Sequence, residues 1–171
     1  NLHRYQAQVS TGLFASSAVV EGPIVKGKGS FLLGGRYTYF EPWVKYFSEK
    51  GNLLTFSGDQ VRYKFYDSNL KLNYSISDKD RLYFSFYYGG DLFKNDFGQS
   101  YSDANAYITD RFTLATDWGN SIAALRWNHL LKENLFTNTT IRYSRFFYQS
   151  RLGFRSNILY PNGKESQLAN Y

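Results

Sequence analysis

Strict alternation of apolar and polar residues constrains this chain more than any other feature. In residues 66–76 the even positions are mostly apolar and the odd positions are polar, as in Leu70, Leu72 and Ile76 against Asn69 and Lys71. A β-strand directs successive side chains to opposite faces, so this segment predicts a strand with one apolar and one polar face. The pattern returns in residues 82–88, after a short polar stretch that favours a tight turn.

Four further segments alternate less strictly, which predicts an all-β antiparallel meander of about six long amphipathic strands. These segments are Tyr5–Val20, Ser30–Phe40, Asn120–Leu130 and Leu135–Phe147. Short and long connections alternate along the chain, the long ones being expected at residues 41–60 and 91–117. Short turns on one side and long loops on the other are typical of bacterial outer-membrane barrels. The meander is therefore predicted to form part of a transmembrane β-barrel, whose strands need about nine to eleven residues each.

The aromatic content agrees with an outer-membrane location. The chain has 16 Tyr, 15 Phe and 3 Trp, and several of these rings fall near strand ends, where interfacial girdles form. No run of about 18 uncharged apolar residues occurs, which excludes a helical membrane protein. Outer-membrane lipid is the partner expected for the apolar faces. A soluble or surface-attached β adhesion module, with the rings in a core, remains the alternative from another class.

No motif for catalysis, a metal or a cofactor is found. Cysteine is absent, and the two histidines, His3 and His129, lie far apart in the chain. No Gly-x-Ser-x-Gly elbow is present. We therefore expect no catalytic residues, no metal site, no cofactor and no enzymatic activity. The net charge of +6 is scattered rather than gathered into a basic stripe, so no nucleic-acid partner is expected.

Several short motifs, in order, give the chain a family resemblance. Residues 21–39 begin with Glu-Gly-Pro and end in Gly-Arg-x-x-Tyr, and residues 66–83 contain Tyr-Asp-x-Asn-x-Lys-x-Asn-Tyr followed by Ser-Asp-Lys-Asp-Arg-Leu-Tyr. Trp-Gly-Asn at 118–120, Arg-Trp-Asn-His at 126–129 and Asn-Thr-Thr at 138–140 complete the set. Together they resemble the early barrel strands of TonB-dependent outer-membrane receptors of the Bacteroidota type, over about positions 5 to 148.

The resemblance implies a 22-stranded barrel closed by a plug domain, which imports a large nutrient such as a siderophore, glycan or peptide. It also implies, as partners, the remainder of the barrel and plug, the TonB complex and a possible surface lipoprotein. Six strands cannot close such a barrel, so the chain is expected to be a barrel fragment. Residues 1–148 are expected to form its three hairpins, and residues 149–171 an extracellular loop or a further strand. The alternative within the same class is a complete small eight-stranded outer-membrane barrel.

Two sets of residues follow from this interpretation. The apolar set is expected to face lipid, and the polar set to point inward: Leu70, Leu72, Tyr74, Ile76, Leu82, Phe84 and Phe86 against Asp67, Asn69, Lys71, Asn73 and Arg81. The turns at 78–80 and 132–134 are expected to be periplasmic, and the loops around Tyr46 and Phe97 extracellular. Ligand or partner contact is predicted for rings and carboxylates of the long loops and for two inward residues: Trp43, Tyr46, Phe47, Asp91, Phe93, Tyr101, Arg36 and Asp67.

Overall fold

A computed structural model of the chain describes residues 3–40, 42, 43, 46, 60–103 and 105–170. Within these residues the fold is an all-β antiparallel meander of eight strands. Their bounds are β1 Gln6–Thr11, β2 Ala15–Val25, β3 Gly29–Thr38, β4 Gln60–Ser75, β5 Asp80–Ser102, β6 Tyr107–Lys132, β7 Leu135–Leu159 and β8 Glu165–Asn170. The helical conformation found at Pro42, Trp43 and Tyr46 is the exception to this all-β pattern.

The strands form one sheet in sequence order, from β1 to β8. The register of β3 on β4 places Arg36 opposite Asp67 and Phe31 opposite Leu72. Between β2 and β3 the register shifts between Pro23 and Val25. Proline cannot donate to the ladder, so a bulge at this position is where a strand tolerates it.

The predicted all-β antiparallel meander is confirmed, but the prediction of about six strands is wrong because the sheet has eight. The expected first strand, 5–20, is two strands, because the chain turns at residues 12–14 and Gly12 N–H donates to Ala15 O at 2.8 Å. The expected long loop at 91–117 is also wrong. Strand β5 extends to Ser102 and strand β6 begins at Tyr107, and between them Asp103 Oδ1 accepts from the backbone N–H groups of Asn105 and Ala106.

The tail that was expected to be a loop or a further strand contains the end of β7 and all of β8. The two are paired from Phe154 opposite Asn170 to Leu159 opposite Glu165. Residues 160–164 form the turn between them, where Gly163 takes a left-handed backbone with φ of 79°. Both faces of these strands carry polar residues, so the sequence shows no apolar–polar alternation here. The hairpin was therefore not predicted from the sequence.

The chain divides into two compact units. Unit 1 comprises Asn1–Thr38, Phe65–Gly90 and Gly119–Phe147, and contains β1–β3 and the adjoining parts of β4–β7. Unit 2 comprises Tyr39–Lys64, Asp91–Trp118 and Tyr148–Tyr171, with the remaining parts of β4–β7 and β8.

The sheet has almost no apolar core of its own. Among the described residues Ala106 is the one buried hydrophobic residue, and no large side chain is fully buried. Large apolar side chains are instead exposed on most strands, with Ile141 69%, Phe136 69% and Leu152 76% exposed. No helix of the described residues has the length and apolar character that a membrane crossing needs.

Candidate functional site

The polar side chains of unit 1 gather around a shallow cavity. It measures about 490 Å³ and is lined from four neighbouring strands, among others by Lys71, Asn73, Tyr83, Arg126 and Arg142. The guanidinium of Arg126 lies over the Tyr83 ring at 4.6 Å from its centroid, a favourable cation–π geometry. The cavity thus brings together Lys71 and Asn73, two residues of the predicted inward set, with cations that sequence reasoning did not select.

The predicted lipid-facing residues of unit 1 are accessible to different degrees. Tyr74, Ile76 and Phe86 are exposed, at 39%, 59% and 37%. The other four members of the set, Leu70, Leu72, Leu82 and Phe84, are half-buried. Ile141 and Tyr143 on β7 are also exposed and were not in the set.

Arg36 and Asp67 form an ion pair across β3 and β4. Arg36 Nη2 lies 2.7 Å from Asp67 Oδ2, and Arg36 Nε donates to the same oxygen at 2.8 Å. The guanidinium also covers the Phe65 ring, 4.5 Å from its centroid. The Asp67 side chain is only 9% exposed, whereas that of Arg36 is 52% exposed. These two predicted site residues therefore satisfy each other, and Arg36 retains an open edge.

A second polar cluster in unit 1 centres on Asp80, beside the turn at residues 76–79. Its carboxylate accepts from Ser77 Oγ at 2.7 Å and Trp127 Nε1 at 2.9 Å, and lies 2.6 Å from His129 Nδ1. The hydrogen bond from Ser77, followed by those from His129 and Trp127, holds the pKa of Asp80 below its ordinary value. Sequence reasoning treated Asp80 only as a turn residue. The signal available was the spacing of Trp127 and His129, which puts both rings on one face of β6.

In unit 2 the predicted site residues make separate contacts. Tyr63 donates its hydroxyl hydrogen to Asp91 Oδ1 at 2.5 Å, and this bond, with burial and the carboxylate charge, raises the pKa of Tyr63 to about 12. Tyr101 donates to Asp110 Oδ2 at 3.3 Å. Phe93 is half-buried within β5. Asp91, Phe93 and Tyr101 thus lie in a strand, not in a loop.

The remaining predicted site residues follow β3. The backbone N–H of Trp43 donates to Phe40 O at 3.1 Å, and the exposed Tyr46 is also helical. Phe47 lies outside the described residues. Arg36 and Asp67 belong to unit 1 and the other described candidates to unit 2.

Within the described part of the chain, no group of three or more histidine, aspartate or glutamate side chains is placed to hold a metal ion. The expectation that the protein has no cofactor and no catalytic residues stays a prediction.

Comparison with known proteins gives weak structural similarity. Neither protein-family models nor curated protein sequences match the chain. A solved structure described as a major outer membrane protein from Thermus thermophilus is 14% identical, with 96% of this chain and 82% of that chain covered. The TM-score is 0.26, which is too low to establish a shared fold. The assignment of the fold therefore rests on the strand pairing itself.

Proposed function

We propose that this chain spans the bacterial outer membrane as an eight-stranded antiparallel β-sheet, with its apolar side chains against lipid. The observation that carries the proposal is the missing core: the described residues bury one small apolar side chain and expose Ile141, Phe136 and many other large ones. In water such exposure is unfavourable by about 25 cal/mol for each Å² of apolar surface. Apolar side chains that face lipid do not incur this cost, and the backbone N–H and C=O groups of a sheet form hydrogen bonds between strands.

The ends of the membrane-spanning segments are proposed from where the polarity of β5–β7 changes. On β5 the even-numbered residues are apolar from Leu82 to Tyr88, but charged at Lys94 and Asp96. On β7 the odd positions are apolar at Ile141 and Tyr143, charged at Arg145, apolar again at Phe147, and charged at Arg151 and Arg155. The change on β5 lies beside a row in unit 1 formed by Gly89, Gly119 and Phe147, where a Cβ on Gly119 would collide with both neighbours. From Leu82 to this row β5 has roughly the nine residues that a tilted spanning strand needs.

The small eight-stranded barrel is the form that this proposal favours. Edge strands cannot stay unpaired in lipid, and the outer strands of unit 1 in the strand order are β1 and β7, since β8 belongs to unit 2. A barrel of about eight strands has an interior just wide enough for side chains. Such a protein would act by binding at its surface or rim rather than as an open channel, with outer-membrane lipid as its first partner.

Import by a TonB-dependent receptor is the second candidate. It is supported by the family resemblance, since residues 21–39 lie in the hairpin of β2 and β3, although Glu21, Gly22 and Pro23 belong to strand β2 and the turn is at residues 26–28. In this case strands outside the sequence given would cover the edges. A plug, the TonB complex and a surface lipoprotein would be the partners, and Trp43, Tyr46 and Phe47 would contact the nutrient.

Fractionation and gel migration of the native protein test the proposal. We expect the chain to sediment with outer membranes, to need detergent for extraction, and to migrate differently on denaturing gels before and after boiling, because its sheet resists detergent. Extraction into buffer without detergent would contradict the membrane proposal. Uptake that disappears when the TonB complex is lost would favour the receptor, whereas unchanged uptake would favour the small barrel.

A further inference from the structure

The largest cavity described in unit 2 is lined by positive charge. It measures about 850 Å³ and is walled by β4, β5, β6 and β7. Five cationic side chains line it, at least one from each of these strands: Arg62, Lys94, Arg111, Arg151 and Arg155. Sequence reasoning missed this cluster because its members are far apart in the chain and no basic run marks them.

Two carboxylates of unit 2 pair with cations of this cavity. Asp96 lies in the cavity wall, 3.0 Å from Lys94 Nζ, and accepts from Thr113 Oγ1 at 2.6 Å. Partial burial acts to raise its pKa, but the bonds from Thr113 and Lys94 and the charges of Lys94 and Arg62 hold the pKa of Asp96 below its ordinary value. Asp96 is therefore ionised at neutral pH.

The second carboxylate, Asp117, pairs with Arg151, whose Nη2 lies 3.1 and 3.2 Å from its two oxygens. Five cationic residues and one carboxylate, Asp96, line the cavity, so its lining has an excess of positive formal charge. Arg111 has no ion pair among the described residues, and the side chains of Arg151 and Lys94 are 59% and 34% exposed. The excess charge is consequently within reach of a ligand from solvent.

The lining also indicates the kind of anion. Guanidinium groups present a planar fork of donors that matches the oxygens of phosphate, and several of them can share one phosphate. Leu92, Leu152 and Phe154 line the same cavity and give it apolar walls beside the cations. This combination suits a phosphate group attached to an apolar body better than a small hydrated anion.

We propose that this cavity is a binding site for a phosphate-bearing ligand, held by Arg111 and Arg155 with Arg62, Lys94 and Arg151 around it. The proposal goes beyond the membrane function above and stands on the cavity alone. A phosphorylated lipid headgroup and a soluble phosphate compound share this chemistry, and the two sources are separated by experiment.

The test measures binding by the full chain in a non-ionic detergent to two probes: mixed micelles containing phosphatidic acid, and inorganic pyrophosphate. Micelles with phosphatidylcholine alone serve as the uncharged reference. We expect binding that weakens with salt, and a loss of about tenfold for each arginine removed in R111Q/R155Q, because each loses a charge-assisted contact. The matched control R126Q/R142Q removes two cations from the other cavity and should retain binding.

Each outcome decides the proposal. Arginine-dependent binding of phosphatidic acid supports a lipid ligand, and arginine-dependent binding of pyrophosphate supports a soluble one. Failure of both probes, equal binding to phosphatidylcholine, or equal loss in R126Q/R142Q would overturn the proposal. If R111Q/R155Q does not fold, as judged by its circular dichroism spectrum, the exposed single variant R62Q and the salt dependence of the unmodified protein provide the same decision.

Discussion

The two units use the same strands with opposite polarity. In unit 1 the polar residues that line the cavity are odd-numbered on β5 and even-numbered on β6 and β7, as Tyr83, Arg126 and Arg142 are. Leu72 and Phe84, from the apolar positions, also line it. In unit 2 the cations of these strands are at the opposite positions, even-numbered on β5 and odd-numbered on β6 and β7. Lys94, Arg111 and Arg151, which line the cationic cavity, are examples.

In the proposed membrane protein, this difference indicates which parts of the sheet face lipid and which face water. A strand that remained in lipid along its whole length would keep one parity apolar throughout. A strand that leaves the membrane can carry charged residues at the same odd or even positions that are apolar where the strand crosses lipid. Under the proposed membrane function, the apolar positions of unit 1 face lipid and the charged positions of unit 2 face water, and the following predictions break or sharpen this comparison.

The largest effect is expected from a charge on the apolar parity of unit 1. Ile141→Arg should lower the free energy of unfolding by about 2–4 kcal/mol, the cost of arginine near the bilayer midplane. Urea unfolding in lipid vesicles measures it. Ser144→Arg, on the opposite parity of β7, is the matched control and should cost less than about 1 kcal/mol. Equal costs for the two variants would remove the distinction between the faces.

A smaller effect is expected at the row where the polarity changes. A Cβ on Gly119 would overlap the carbonyl oxygen of Gly89 and lie 2.6 Å from Phe147 Cζ, so Gly119→Ala must displace backbone. We expect a loss of about 1–3 kcal/mol, typical of overpacking. Gly35→Ala is the control, because a Cβ at this exposed strand position would lie 3.5 Å from Asp67 O, an ordinary contact. Thermal unfolding in detergent compares the two, and a tolerated Gly119→Ala would contradict the close approach.

The ion pair on the polar parity of unit 1 should contribute less. Arg36→Ala removes both contacts to Asp67 and should cost about 1 kcal/mol, since Arg36 is half exposed and solvent screens the pair. A double-mutant cycle with Asp67→Ala isolates the coupling. Lys26→Ala, in the exposed turn after β2, should change nothing measurable. A coupling of zero would mean that register alone, and not attraction, places the two residues opposite each other.

The smallest effect is a pH dependence at the Asp80 cluster. The pKa of Asp80 is lower in the folded state than in the unfolded chain, so its contribution is present above the unfolded value, about 4, and is lost as pH falls through the folded value. Asp80→Asn should therefore flatten the stability profile below about pH 4 and leave its slope near pH 7 unchanged. Asp78→Asn, in the same turn, is the control. An identical acid slope in both variants would exclude Asp80 as the source.

The sequence predicted the fold where one face is apolar and the other polar. Leu70, Leu72 and Ile76 alternate with Asn69 and Lys71, and the strand class followed directly. It failed where both faces carry polar residues or rings. Asp91, Phe93 and Tyr101 resemble loop residues by composition, and only cross-strand bonds such as Thr113 to Asp96 show them to be in a ladder. Apolar and polar residues alternate along a strand when one of its faces is apolar. The alternation is therefore absent when neither face is uniformly apolar.

The candidate site was predicted less completely than the fold. Arg36 and Asp67 were selected because both alternate inward, and the register places them together. The cationic cavity and the Asp80 cluster were not found, because strand pairing brings together residues up to 93 positions apart, as with Arg62 and Arg155. Pairing register is a long-range property, and a single sequence contains no local signal for it.

Accessibility of spin labels to oxygen and to a water-soluble nickel complex tests the central claim most directly. Labels are placed at Phe84 and Ser85, neighbours of opposite parity in unit 1, and at Lys94, which shares the even parity of Phe84 in unit 2. We predict that oxygen reaches the label at Phe84 most readily and that nickel reaches the label at Lys94 most readily. The label at Ser85 should be less accessible to oxygen than the label at Phe84. Equal accessibility at Phe84 and Ser85, or a label at Lys94 that behaves like that at Phe84, would contradict it.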